Sequence, residues 1–462
     1  VSLVGLDLGT SFIKAGVLDM ETLQVNHVQR IPFPDPLPVL PASYREFDPA
    51  KIMSAVHQLL KEIAPFAGDC EGIIMCTQMH GVVFTTADGE ARSNLTTWQD
   101  QRVLDQHPSG SGTYFDVMRA HLTTDELRQL GNELRAGLPA GLFFWMAEQG
   151  KLPARDIVPA SLADFVIANL CHCRPSTEIT NAMAHGLLDL DMMDWHTDII
   201  QKLGLSGLAL PEILPHGAVA GWLDWNGRRV PCYTPVGDYQ CSIVGALLQD
   251  DELSLNISTG SQVSMLKSSA EFGNFQTRPF FDGRFSNTVT HIPAGRALNA
   301  LLKLFSELAV SQGVELADTW AYITRAAAQV ASPKLQTNLA FYNSAIGDEG
   351  SFAHLREDEM TIGHVFRAAF QSMAENYFMF ANRLSPEKNW SRLVFSGGLV
   401  QKIDLLRQLI CDQFNMEFRL SPVQEDTLLG LMTLGLAFTG RTSSVSEATA
   451  RLTEAYNVGM VV

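Results

Sequence analysis

The first residues alternate apolar runs with one hydroxyl-rich break: Val1 to Leu8 is almost wholly apolar, Gly9-Thr10-Ser11 interrupts it, and Phe12 to Leu18 resumes an extended pattern. Such spacing predicts a strand, a tight turn and a second strand. The same figure returns at Leu253 to Ile257, Ser258-Thr259-Gly260-Ser261 and Gln262 to Leu266. Thr10 and Thr259 hold equivalent places and stand 249 residues apart, too far for a stacked repeat and fitting for a duplicated domain.

Between these landmarks the pattern reads as α/β. Five prolines from Pro32 to Pro41 predict an exposed connector. Ile52 to Ile63 has helical apolar spacing, Gly72 to Cys76 reads as a buried strand leading into Gln78-Met79-His80-Gly81, and Thr123 with Glu126 forms a capping-box pair. Asp156 to Leu170 is a further apolar segment, and the Pro and Gly residues from Pro231 to Gly237 predict a crossing between domains, hence a boundary of 1–234 and 235–462. Beyond it, Ala297–Ala309, Ala317–Val330, Asp404–Phe414 and Glu425–Phe438 read as helices, with Gly430 and Gly435 marking close packing in the last. Ser396-Gly397-Gly398-Leu399 follows a strand ending at Phe395.

A chain of 462 residues, 46% apolar and 18% charged, is large enough for two cores. Its net charge of -17 argues against a general nucleic-acid surface, but backbone amides and a divalent cation can still build a local phosphate site. Seven scattered cysteines lack zinc or redox spacing and read as reduced thiols, Cys171-His172-Cys173 included. The chain opens on a strand without a basic, cleavable leader, and its longest apolar stretch near the end, 428–438, is 11 residues, too short for a bilayer. A cytoplasmic protein without membrane contact is the expectation.

Each part of Asp7-Leu8-Gly9-Thr10 can serve a phosphate: Gly9 permits the turn, amides and the Thr10 hydroxyl donate, and Asp7 can orient hydrated magnesium. Lys14 fits either a phosphate contact or a solvated surface lysine. Ser258, Thr259 and Gly260 supply a second such turn, and Gly397 with Gly398 lets a backbone approach a nucleotide. Three turns of this kind point to ATP. The chain has neither GxxxxGK[ST] nor the combined protein-kinase motifs, and it lacks an opening GxGxxG.

The ordered set DLGTSFIK at 7–14, QMHG at 78–81, WQDQR at 98–102, PVGDYQ at 235–240, STGS at 258–261 and SGGL at 396–399 resembles the FGGY family of carbohydrate kinases across nearly the whole chain. The resemblance implies a two-domain actin-like ATPase fold with ribonuclease-H-like domains around a cleft. It implies ATP and Mg2+ as cofactors and Asp238 as the base that takes the proton of a sugar hydroxyl. It further implies Asp7 as the magnesium organiser, Gly9, Thr10, Ser258, Thr259 and Gly260 at the phosphates, and Gly397 and Gly398 on the adenosine side. Met79, His80, Trp98 and Asp100 would line the sugar opening with Asp238, and Gln78 would support the loop. Asp100 with Arg102 also fits a structural ion pair.

The free ketose implied by the resemblance is sedoheptulose, phosphorylated to sedoheptulose 7-phosphate, with D-xylulose as the rival substrate and a nonenzymatic actin-like nucleotide sensor as the rival class. Dimerisation, common among such kinases, is compatible with it. Two segments depart from the family pattern: Leu142 occupies a lysine position three residues before Trp145, and Gly347-Asp348-Glu349-Gly350 replaces a Gly-Glu-Arg segment.

Overall fold

The computed structural model describes residues 1–458, which divide into two compact units. The first unit comprises Val1–Leu247, Thr277–Phe285 and the chain from Glu425 on; the second comprises Leu248–Gln276 and Ser286–Gln424. No helix among the described residues is long and apolar enough to cross a membrane.

In the first unit the strands are β1 (Ser2–Leu8), β2 (Phe12–Asp19), β3 (Gln24–Pro32), β4 (Cys70–Thr77), β5 (Val219–Trp225), β6 (Arg228–Tyr233) and β7 (Val236–Gly237). They lie in the order β5-β6-β4-β1-β2-β3, with β7 also paired to β4. β1 runs antiparallel to β2, from Ser2 opposite Asp19 to Leu8 opposite Ile13, and parallel to β4. Every residue of β1 is buried, as a strand covered on both faces requires. Val4, Leu6 and Leu8 share a core with Ile52, Val56, Leu59 and Ile63 of the helix Pro49–Ile63, which Asp48 caps by accepting from the Ala50 N–H at 2.9 Å. The alternate residue Leu3 meets the helix Asp426–Phe438, where a Cβ on Gly435 would stand 2.6 Å from Leu3 Cδ1. Leu142 and Trp145, at the departure from the family pattern, sit in a separate apolar cluster with Phe143 and Phe144, so this helix, Pro139–Glu148, spends that face on packing.

The second unit repeats the arrangement with β8 (Glu252–Ile257), β9 (Gly260–Lys267), β10 (Phe285–Pro293), β11 (Arg392–Ser396) and β12 (Phe418–Leu420), ordered β10-β9-β8-β11-β12. β8 is antiparallel to β9 and parallel to β11, as β1 is to β2 and β4. Leu253, Leu255 and Ile257 pack with Phe366, Phe370, Tyr377 and Phe380 of the long helix Ile362–Leu384.

The expected boundary at 234/235 shifts. β7 pairs with β4, and the helix Asp238–Gly245 crosses the helix Asp426–Phe438 so closely that a Cβ on Gly245 would lie 1.7 Å from the Asp426 carbonyl oxygen. A Cβ on Gly430 would lie 2.0 Å from the Cys241 carbonyl oxygen. These contacts place Asp238 and the C-terminal helices with Asp7, in the first unit.

Candidate active site

Cys76 on β4 pairs with Asp7 on one side and Val236 on the other; Thr77 pairs with Leu8 and Gly237. Three parallel strands therefore end level and carry Asp7, Gln78 and Asp238 to one carboxyl edge, where open α/β sheets bind ligands. The loop before Asp238 is held from the helix Ile179–Ala184: the Gly237 N–H donates to Thr180 Oγ1 at 2.9 Å, and Asn181 Nδ2 donates to the Pro235 carbonyl at 2.8 Å. Met79 packs over this loop, its Sδ 3.1 Å from where a Cβ on Gly237 would stand.

The electrostatics of this edge follow from three acids close together, Asp7 buried and Asp238 and Asp426 half-buried. Burial, and then the charge of Asp7, raise the Asp238 carboxyl to about 7; Asp426 adds to the rise and the Arg278 guanidinium opposes it. Asp426 is likewise raised to about 7, by burial first. Burial raises Asp7 too, against the pull of Lys14 and of Thr427, whose Oγ1 donates to Asp7 Oδ2 at 2.8 Å. Lys14 is no solvated surface residue: its Nζ lies 2.7 Å from Glu425 Oε2 and 3.6 Å from Asp7 Oδ2. The other Asp7 oxygen, Oδ1, looks toward the turn, 3.6 Å from where a Cβ on Gly9 would stand. An oxygen turned to a phosphate-type loop, in an edge with excess negative charge, suits a hydrated divalent cation. Among the described residues no three His, Cys, Asp or Glu side chains are grouped to hold a metal, so such an ion would keep waters and nucleotide oxygens in its shell.

His80 stands beside this edge in a left-handed conformation, φ 66°. Burial and the adjacent Arg135 charge hold its imidazole well below the usual range, so the ring is neutral. Nδ1–H donates to the Ala184 carbonyl at 3.0 Å, and Nε2 accepts from Arg135 Nη2 at 2.6 Å. Both ring nitrogens are thus engaged within the protein, so the direct sugar contact expected of His80 would compete with Arg135 or the Ala184 carbonyl. Arg135 Nη2 lies 3.6 Å from Glu133 Oε2, Glu133 Oε1 accepts from Arg278 Nε, and the Arg278 guanidinium covers the Tyr239 ring at 4.4 Å, one residue from Asp238. Burial alone would raise Glu133, but Arg278 and Arg135 outweigh it and hold the carboxyl at about 2. Glu133, Arg135, Arg278 and Asp426 form no local motif, and sequence reasoning passed over them.

Trp98 is 39% exposed and its Nε1 lies 3.4 Å from the Thr10 hydroxyl, so the residue expected at the sugar opening adjoins the Gly9–Thr10 turn. Asp100 is different. Its Oδ1 accepts from Arg102 N and Nε at 3.1 and 2.8 Å, and its Oδ2 from Arg45 N and Arg102 Nη2, both at 2.7 Å. A carboxylate offers about four acceptor sites, and these four bonds use them. The structure thus contains the Asp100–Arg102 ion pair, and the sugar-ligand role expected of Asp100 would have to share these acceptor sites.

In the second unit, Asn256 pairs with Ser396, so the Ser258–Ser261 turn and Gly397-Gly398 share one carboxyl edge. The Gly398 N–H donates to Ser258 Oγ at 3.1 Å, and Gly295 and Arg296 donate to the carbonyls of Ser258 and Thr259 at 3.0 and 2.8 Å. Gly397 has φ 89°, and a Cβ on it would stand 2.6 Å from the Ile257 carbonyl oxygen. Thr259 and Gly260 are exposed, and a Cβ on Gly260 or Gly398 would meet nothing within 4 Å. Open backbone beside the exposed Thr259 is what a phosphate or nucleoside approach needs.

Residues 2–245 match the N-terminal domain of the FGGY family of carbohydrate kinases. The human (Homo sapiens) sedoheptulokinase is 24% identical over 453 residues, 88% of this chain and 91% of that protein. The Bacillus subtilis xylulose kinase is 26% identical over 266 residues, 53% of this chain and 49% of that protein. Among solved structures, Plasmodium falciparum glycerol kinase with ADP superposes with a TM-score of 0.82 at 17% identity, covering 98% of this chain and 92% of that one, which shows a shared two-domain α/β sugar-kinase fold.

Proposed function

Because the chain belongs to the FGGY family of carbohydrate kinases, we propose that it transfers the γ-phosphoryl group of ATP to the terminal hydroxyl of a free ketose, sedoheptulose giving sedoheptulose 7-phosphate. The observation that carries the chemistry is Asp238, held by Thr180 and Asn181 at the carboxyl edge beside Asp7. In the chemical step Asp238 accepts the hydroxyl proton as that oxygen bonds to the γ-phosphorus and the bond to the β-phosphate oxygen breaks, releasing ADP. Gly9 and Thr10 meet phosphate in the first unit; Ser258, Thr259 and Gly260 do so in the second, with Gly397 and Gly398 on the adenosine side. Bound magnesium offsets the phosphate charge, and Asp7 is the residue that would orient its waters.

Arg135, with Met79 and Trp98, faces the sugar, and the neutral His80 keeps the guanidinium in place. Sedoheptulose is favoured over xylulose by the longer span of the human sedoheptulokinase match, 88% of this chain against 53%. ADP release measured with Mg2+ and each of sedoheptulose, xylulose, ribulose and glycerol, followed by product identification, tests this. Greatest kcat/KM on sedoheptulose is expected. Preferred turnover of xylulose would replace the substrate, and nucleotide-dependent assembly with no transfer to any sugar would replace the enzyme reading with that of a nucleotide sensor.

A further inference from the structure

The carboxyl edge of the first unit holds a neutral polar group, Gln78, that the reaction above leaves unused. Gln78 is 3% exposed, and its main-chain N–H donates to the Leu8 carbonyl at 2.9 Å, extending the pairing of β4 with β1 by one residue. Its side chain reaches the phosphate turn: Thr10 Oγ1 lies 3.2 Å from Gln78 Oε1, and the same hydroxyl lies 3.4 Å from Trp98 Nε1. Thr10 accepts from the indole N–H and gives its own proton to Oε1, so the amide presents its oxygen to the turn and its nitrogen away from it. Gln78 Nε2 is left buried without a hydrogen-bond partner. An unspent buried donor is costly, so the site is completed by an acceptor that the protein does not supply.

The neighbours narrow what that acceptor is. Asp7 and Asp238 sit at the same edge, and both repel a phosphoryl oxygen. Lys14 is spent on Glu425 and Asp7. The amide is a neutral donor, level with Asp238 through the pairing of Thr77 with Gly237 and tied to the turn that carries Thr10. We propose that Gln78 is a catalytic residue whose Nε2 donates to a non-bridging oxygen of the γ-phosphoryl group as it passes from ATP to the acceptor hydroxyl. A donor fixed before the reaction stabilises the charge of the transition state without reorganising.

The inference rests on the kinase reading, and the test separates the two. Gln78→Leu removes the donor; Gln78→Glu keeps the oxygen that Thr10 serves and replaces the donor with an acceptor. Both are compared with wild type for kcat, for KM of ketose and ATP, for MgATP hydrolysis without sugar, and for Tm. The expected result is a fall in kcat of roughly 10²-fold or more in both variants, with ketose KM within about threefold of wild type. A kcat within about threefold of wild type in either folded variant, or a loss confined to ketose KM, overturns the assignment. Should Gln78→Leu not fold, Gln78→Glu, which preserves shape, decides alone. Wild type without sugar-stimulated turnover counts against the kinase reading; in that event, undiminished sugar-free MgATP hydrolysis by the variants overturns the donor role, and its loss supports it.

Discussion

Arg102 grips Asp100 at two points, Nε to Oδ1 at 2.8 Å and Nη2 to Oδ2 at 2.7 Å, and both residues are buried. The same guanidinium bonds to Glu46 Oε1 at 2.6 Å and stands 3.8 Å over the Tyr44 ring. One arginine thus ties the Trp98–Arg102 loop to the segment around Tyr44–Glu46, with Asp100 as its buried partner.

Asp100→Asn should therefore act on stability. It leaves Arg102 partly unpaired in a buried place, at a cost of about 3 kcal/mol in unfolding free energy by denaturant titration. The folded fraction should keep its ketose KM within a few-fold. An unchanged midpoint with a large rise in ketose KM would place Asp100 in the ligand set.

Asp238→Asn keeps size and removes the proton acceptor. Turnover should fall by roughly 10²-fold or more while calorimetric MgATP affinity stays near wild type, because the base is a separate group from the phosphate turns. Wild-type turnover in this variant would end the role.

The pH dependence follows from the carboxyl raised to about 7. Only the ionised form accepts a proton, so kcat/KM should climb roughly tenfold per pH unit below that value and level off above it. Asp426 contributes to the rise by its charge, so Asp426→Asn should move the acid limb to lower pH. An acid limb that stays in place or moves upward would show that some other group controls it.

The strand and turn pairs were legible because they are local: an apolar run and a hydroxyl turn announce β1 and β2, and again β8 and β9. The helix expected at Asp404–Phe414 is observed over those residues, and Thr123 with Glu126 makes its capping box. What stayed hidden depends on distant contacts. Glu133 meets Arg278 145 residues away, and Thr427 meets Asp7 420 residues away, after the chain has returned to the first unit. No spacing rule reports such a return. Asp100 and Arg102 were visible as a pair, but its burial and the Arg45 amide were not. The QMHG turn that carries His80 was legible, whereas the occupation of its ring by Arg135 and Ala184 was not.

Gly397 tests the proposed nucleotide role of the second unit apart from the proposed sugar role of the first. Its φ of 89° is one that a side chain rarely adopts, and a Cβ would stand 2.6 Å from the Ile257 carbonyl oxygen and 2.7 Å from Ser258 Oγ. Gly397→Ala must therefore shift the backbone, at about 1–3 kcal/mol, and what it moves is the Gly398 N–H bond to Ser258 Oγ at 3.1 Å. That bond joins Gly398 to the Ser258–Ser261 turn, so ATP KM should rise severalfold while ketose KM is unchanged, as the groups proposed to face the sugar, Asp238, Arg135 and Trp98, belong to the other unit. Initial-rate kinetics with each substrate varied in turn would read the split. A rise confined to ketose KM would remove Gly397 and Gly398 from the adenosine side.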